Sequence, residues 1–297
     1  MKTISHAAGR HSLSRRGLIV AGAATALAPS LGCAQADALP WRLPEMKTLQ
    51  IGGQSIAYYD QGSGPAIVLV HGMSGSASLE WGRVIGPLSR DFRVVAPFQI
   101  GFGPSSQPDL PYDAETFVSY LGGLITSLGL DRPVMVGESF GGWVVGHYAL
   151  AQGGPSRLGG TVPAISKLVI VDGALQIKGP PPAGPNPPRS INDPAIGAQA
   201  GAVFEGRPRP DNSLVTSRVV GGSIIRQSLD DARLAQIKTP TLVIWGDADE
   251  LFPAERGRAY AQVIPGARFS LIAGSGHIPS VERPQAFLKA LTDFARG

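Results

Sequence analysis

The stretch Gly137-Glu138-Ser139-Phe140-Gly141-Gly142 follows the apolar run Pro133-Val134-Met135-Val136 and precedes Trp143 to Leu150, a segment with helical patterning. A buried strand, a sharp turn and a helix are therefore expected in direct succession. Glycines two places before and two places after the serine are what such a turn requires, because a residue held at a strained backbone angle leaves no room for side chains on the adjoining turns. The Ser139 hydroxyl is then presented at the carboxyl edge of a sheet. The helix that follows offers unpaired N–H groups, which favour negative charge developing beside the serine.

The rest of the chain supplies the sheet that such a turn needs. Thr48 to Ile51 and Gln54 to Tyr59 alternate around Gly52-Gly53, the pattern of an antiparallel hairpin. Continuous apolar runs, the mark of strands buried on both faces, recur at Ala66–Val70, Phe92–Ala96, Pro133–Val136, Leu168–Val171, Thr241–Trp245 and Arg268–Ile272. Helix-length segments separate most of them, and a last helix is expected over Pro284–Arg296. Strands alternating with helices predict an α/β fold, a doubly wound and mostly parallel sheet opened by an N-terminal antiparallel hairpin.

One interval breaks the rhythm. Between Val171 and Thr241 the chain is too long for a single crossover helix, and it contains the proline-rich run Gly179 to Pro188. That run can be neither regular helix nor central strand, and reads as a stiff extended lead into a small inserted cap. Short cap helices are expected over Asp193–Phe204 and Ser213–Ser228. The expected organisation is a leader over residues 1–36, a core over 37–173 and 231–297, and the cap over 174–230.

The leader is read from Ser14-Arg15-Arg16-Gly17, an uncharged stretch from Val20 to Leu31 and the Ala34-Gln35-Ala36 cleavage pattern, the three parts of a twin-arginine export signal. Its apolar part is too short for a permanent transmembrane anchor. The formal net charge of +4 resides in Lys2, Arg10, Arg15 and Arg16, so the chain beyond residue 36 carries as many acids as bases. With no basic surplus, nucleic acid and anionic membranes are not expected partners. The single cysteine, Cys33, also falls in this segment, so the exported chain has no disulfide and no thiolate site. Lipid attachment at Cys33 is a weaker alternative to a soluble periplasmic or secreted protein. The export machinery is the expected partner during transport.

A serine needs a base within hydrogen-bond reach. Beyond the leader the histidines are His71, His147 and His277. His147 lies eight residues along the helix that Ser139 introduces, on the order of 10 Å away, which suits a packing or surface residue. His71 ends a buried strand and opens His71-Gly72-Met73-Ser74. That is where a second oxyanion donor is expected, with the N–H groups of Met73 and Phe140 as the pair and His71 structural. His277, in Gly274-Ser275-Gly276-His277 directly after the last strand, is the expected base. The orienting carboxylate should stand at a neighbouring strand end. Trp245-Gly246-Asp247-Ala248-Asp249 offers two, of which Asp249 is preferred, and Asp172 at the end of Leu168–Val171 is the rival.

Taken together, His71-Gly72, Gly101-Phe102-Gly103-Pro104-Ser105-Ser106, the Ser139 turn, Trp245-Gly246-Asp247-Ala248-Asp249 and Gly276-His277 with Glu282-Arg283-Pro284 resemble the recurrent blocks of the α/β-hydrolase fold superfamily. The resemblance covers nearly all of the chain after the leader. It implies the chain order Ser139, Asp249, His277 for a catalytic triad and hydrolysis through an acyl-enzyme. Relatives with an aspartate nucleophile, the dehalogenases and epoxide hydrolases, are excluded by Ser139. Carbon–carbon bond hydrolases of the meta-cleavage type look similar around His71 to Trp81. They usually place an aromatic residue after the histidine, where this chain has Ile278, and Ala96-Pro97-Phe98-Gln99-Ile100 stands where Asp-x-Pro is common.

The reading is an exported serine hydrolase acting on a carboxylic ester or lactone with an apolar portion, in a pocket touched by Met73, Phe140 and Phe252. A C–C bond hydrolase and a ligand-binding receptor on the same fold are the alternatives. No cofactor or metal is expected, since the sequence has no phosphate-binding glycine loop of Walker type and the three histidines have other roles.

Overall fold

The computed structural model describes residues 39–74, 76–177, 189–203 and 211–297. The expected leader, Cys33 and the proline-rich run 179–188 lie outside the described residues. In chain order, the hairpin β1 (Met46–Ile51) and β2 (Gln54–Gln61) leads to β3 (Ala66–Val70), helix α1 (Ala77–Trp81), a helical turn at Ile85–Leu88, β4 (Arg93–Pro97) and α2 (Ala114–Ser127). Then come β5 (Val134–Glu138), α3 (Phe140–Ala151) and β6 (Lys167–Val171). The interval before the next strand holds α4 (Pro194–Ala202), α5 (Ser213–Arg218), a π-helical turn at Val219–Ser223, a turn at Ile224–Arg226 and α6 (Asp231–Leu234). Finally β7 (Thr241–Gly246), α7 (Ala254–Val263), β8 (Arg268–Ile272), α8 (Pro279–Glu282) and α9 (Pro284–Arg296) close the chain.

The strands form one eight-stranded sheet in the order β1-β2-β4-β3-β5-β6-β7-β8. β1 pairs antiparallel with β2, and β2 antiparallel with β4, while every pair from β4 to β8 is parallel. The doubly wound sheet with an antiparallel opening hairpin is therefore the observed architecture. Its continuous apolar runs are explained by burial on both faces. Val68 and Val70 of β3 join one core with Phe117, Leu121 and Leu124 of α2 and Val144 and Val145 of α3. Ile67 and Leu69, one residue out of step, join the other core with Trp81 of α1 and Phe287, Leu291 and Phe294 of α9.

After β3 the chain winds to one side, to β4, and from β5 onward it winds to the other. The reversal leaves a crevice at the carboxyl ends of β3 and β5, the switch point where ligands bind in open α/β sheets. The loop after β3 and the turn after β5 are the two segments that flank it.

Two details depart from expectation. The nucleophile strand includes Gly137 and Glu138, and its helix begins at Phe140 rather than Trp143. The segment Ser213–Ser228 is broken by a kink at Gly222 (φ 177°, ψ −46°), where the consecutive Gly221 and Gly222 bring no side chain to hold a regular turn. Among the described residues no helix is long and apolar enough to cross a membrane.

Candidate active site

Ser139 sits between β5 and α3 with φ 54° and ψ −116°, a conformation that L-residues adopt only under constraint. The constraint is visible in its hydrogen bonds. Its N–H donates to the Val171 carbonyl (2.8 Å), and its own carbonyl accepts from Gly142 (2.9 Å) and Ala174 (2.9 Å). The flanking glycines allow helix and sheet to close up. A Cβ on Gly137 would lie 2.3 Å from the Gly141 carbonyl oxygen, and one on Gly141 would lie 2.1 Å from that of Val70.

The loop after β8 brings His277 over the serine. His277 Nε2 is 2.8 Å from Ser139 Oγ, and His277 Nδ1 is 2.8 Å from Asp249 Oδ2. An ionised carboxylate only accepts, so Nδ1 carries the ring proton and Nε2 is left to accept from the serine hydroxyl. The other Asp249 oxygen accepts from the N–H groups of Leu251 (2.8 Å) and Phe252 (2.9 Å), which fixes its orientation. Burial works against the Asp249 charge, but the His277 ring and the Phe252 N–H outweigh it, and its pKa is held below the ordinary aspartate value.

The rival acids are turned elsewhere. Asp172 is fully buried at φ 42°, and its Oδ1 accepts from the Gly246 N–H (3.0 Å) at the end of β7. Burial, reinforced by the facing Asp249 carboxylate, raises its pKa well above the ordinary value. Asp247 accepts from the Gly274 N–H (2.7 Å) and ties the β7 loop to the β8 loop.

The remaining histidines are occupied. His71 Nε2 accepts from the Gln99 N–H (3.0 Å), so Nδ1 carries the proton that goes to the Gly72 carbonyl (2.8 Å). Burial lowers its pKa to about 4. Gln99, in the block where the sequence departs from the common pattern, also donates its side-chain amide to the His71 carbonyl (2.7 Å). His147 is buried against Trp143, with ring centroids 4.6 Å apart, and bonds the Gln227 carbonyl (2.8 Å).

Phe140 is the first residue of α3, so its N–H lacks an intrahelical acceptor, and Met73 lies in the loop beside it after β3. The Phe140 side chain does not line a pocket as expected. Its ring is fully buried between Phe117 and Trp143, leaving only its backbone to serve the site. Phe252 packs edge-on against the His277 ring, centroids 5.2 Å apart, and shields it from one side. Asp172, Asp249 and His277 cluster closely enough to suggest metal ligands, but both His277 nitrogens are already engaged by Asp249 and Ser139.

Sequence reasoning missed two buried acids beside the site. Glu138 precedes the nucleophile, and Glu80 lies on α1; both are buried. The available signal was an acid inside an otherwise apolar strand or helix, which costs too much to be left unpaired.

Such a set, with a hydroxyl, an imidazole and a carboxylate in hydrogen-bonded series over a helix N-terminus, is equipped for nucleophilic attack on a carbonyl. The chain resembles 2-hydroxy-6-oxo-2,4-heptadienoate hydrolase of Pseudomonas putida, with 27% identity over 82% of this chain and 93% of that protein. A meta-cleavage product hydrolase from Pseudomonas fluorescens IP01 superposes with a TM-score of 0.72 at 21% identity, over 84% of this chain and 97% of its own. The enol-lactonase from Burkholderia xenovorans LB400 superposes with a TM-score of 0.70 at 23% identity, over 84% of this chain and 100% of its own. At these identities the two structures show a shared fold. The model of the alpha/beta hydrolase family matches residues 67–290, most of the chain and every block of the site, and the chain belongs to that family.

Proposed function

We propose that this hydrolase is an exported enzyme that cleaves a carboxylic ester or lactone through an acyl-enzyme on Ser139. The observation that carries the reading is the series Ser139 Oγ, His277 and Asp249 Oδ2, joined by two hydrogen bonds of 2.8 Å, one to each nitrogen of the ring. Ser139 Oγ attacks the substrate carbonyl as His277 Nε2 takes its proton, and Asp249 stabilises the imidazolium without becoming protonated. The Met73 and Phe140 N–H groups receive the oxyanion. His277 then returns the proton to the leaving group, and repeats the cycle with water to release the acid. The segment between β6 and β7 serves as the cap that bounds the apolar part of the substrate, with Met73 and Phe252 beside the reacting carbon.

A C–C bond hydrolase of the meta-cleavage type is the second reading, favoured by the likeness to the dienoate hydrolase of Pseudomonas putida over 93% of that protein and to the meta-cleavage product hydrolase of Pseudomonas fluorescens. An ester panel of graded acyl length, run beside a ring-fission dienoate, separates the two. Ser139→Ala is expected to fold normally and to lose about 10⁶-fold in kcat. Labelling by a fluorophosphonate is expected in the parent and not in the variant. Labelling that persists in Ser139→Ala would place the nucleophile elsewhere. Export is checked by N-terminal sequencing, with Asp37 as the expected first residue; a lipid-modified Cys33 would replace the soluble assignment with an anchored one.

A further inference from the structure

Beneath the nucleophile lies a chain of buried polar groups that the triad does not use. Glu80 Oε2 accepts the Gly72 N–H (2.7 Å), and its Oε1 accepts the Ser74 hydroxyl. These two bonds bracket Met73. Glu138 lies close enough for the Glu80 charge to act on its carboxyl. Glu138, the residue before Ser139, has both carboxyl oxygens within reach of the Ser280 hydroxyl, at 2.8 and 3.1 Å. Ser280 stands on α8, three residues beyond His277. The chain thus joins the loop after β3, the end of the nucleophile strand and the helix that follows the histidine loop.

Burial first, and then the Glu80 charge, raise the Glu138 pKa well above its ordinary value.

We propose that Glu80, with Glu138 behind it, is a positioning residue that clamps Gly72 and Ser74 so that the Met73 N–H between them is aimed at the oxyanion. The inference rests on the serine-hydrolase reading and names residues that set its oxyanion geometry. Neither acid touches substrate. Their effect falls on the transition state, because the oxyanion forms only there, so kcat should suffer while ground-state binding is spared.

The test compares Glu80→Ala, Glu80→Gln and Ser74→Ala with the parent enzyme. The readouts are the rate of fluorophosphonate labelling, kcat and KM on p-nitrophenyl butyrate, and the thermal midpoint. Loss of one oxyanion donor costs about 10²–10³-fold, and a donor left loosely aimed should cost about 10–100-fold in kcat for Glu80→Ala, with KM within about threefold. Glu80→Gln keeps a carbonyl for the Gly72 N–H and an amide for the Ser74 oxygen, and is expected to recover most of the rate. Ser74→Ala, at an exposed position, removes one of the two loop bonds and is expected to lose roughly threefold to tenfold in kcat, a reading that stands even if Glu80→Ala does not fold. Labelling at the parent rate by folded Glu80→Ala or, where that variant does not fold, by Ser74→Ala would overturn the proposal, and so would a KM rising in step with any fall in kcat. A parent enzyme that is not labelled at Ser139 would instead overturn the serine-hydrolase reading, and this inference with it.

Discussion

The carboxyl edge of the sheet and the first part of the segment between β6 and β7 are built differently. At the edge, every residue of β3, β5 and β7 is buried, and the site residues stand on short turns between such strands. In the intervening segment, α4 buries only Ala200 and α5 only Val215, while the later part joins the core through Val219, Ile224, Leu229 and Leu234. The described residues ahead of α5 are fastened mainly by polar bonds. Gln199 accepts from Arg83 (2.7 Å), Asn192 donates to the Ala248 carbonyl (2.6 Å), and Asn212 accepts from the Gly103 N–H (3.0 Å). Interlocked cores resist change and hold geometry to a fraction of an ångström, whereas polar fastenings can be exchanged one at a time. On the proposed function, catalytic precision would belong to the first region and substrate fit to the second.

The sharpest challenge to this contrast is the choice of acid at the edge. Asp249→Asn should keep the fold and lower kcat by about 10⁴-fold, because the wrong histidine tautomer is then favoured. Asp172→Asn keeps an oxygen to accept the Gly246 N–H and should stay within about tenfold of the parent. Steady-state kinetics on one ester decide it: a larger loss for Asp172→Asn would reassign the triad.

Packing at the edge is tested by Gly141→Ala. The added Cβ meets the backbone carbonyls of Val70 at 2.1 Å and His71 at 2.8 Å, neither of which can swing aside. A loss of at least ~1–3 kcal/mol is expected in urea unfolding. A variant of parental stability would mean that the elbow is looser than its contacts imply.

The buried acids predict how edge stability depends on pH. Glu80, pushed up from 4.5 to about 7 chiefly by burial, keeps in the folded state a proton that the unfolded chain releases. Glu138 and Asp172 are raised as well; Glu138 is faced by Glu80 and Glu282, and Asp172 by Asp249 and Glu138. Through these acids the folded state gains protons between pH 4.5 and about 7, which lowers stability as pH rises, whereas the buried His71 and His147, both lowered from 6.5 to about 4, raise it over the lower part of that window. The acid contribution is read from Glu80→Gln against the parent: between pH 5 and pH 7 the variant's urea midpoint should rise relative to the parent's. A difference that stays constant with pH would show that Glu80 ionises freely.

The smallest effect is expected in the intervening segment. A Cβ on Gly197 of α4 meets nothing within 4 Å, so Gly197→Ala should stabilise by about 0.5–1 kcal/mol through helix propensity alone. Destabilisation there would show that α4 packs as tightly as the sheet edge.

The sequence by itself determined the sheet, the turn that presents Ser139, and the loop that carries His277. Each depends on local pattern: continuous apolar runs where both faces are covered, glycines where a turn admits no side chain, a histidine between glycines after a strand. By that standard Asp172, directly after β6, and Asp249, three residues beyond β7, both remain candidates, and the sequence only preferred Asp249. Only the tertiary structure turned Asp249 towards His277 and Asp172 towards Gly246, because the choice depends on side-chain directions from three separate loops. The placing of Glu80 near Glu138 across 58 residues of chain, and the loss of the Phe140 ring to the core, were set in the same way. Whether an acid is buried, and what then faces it, is decided by neighbours brought from elsewhere in the chain, and no local pattern records them.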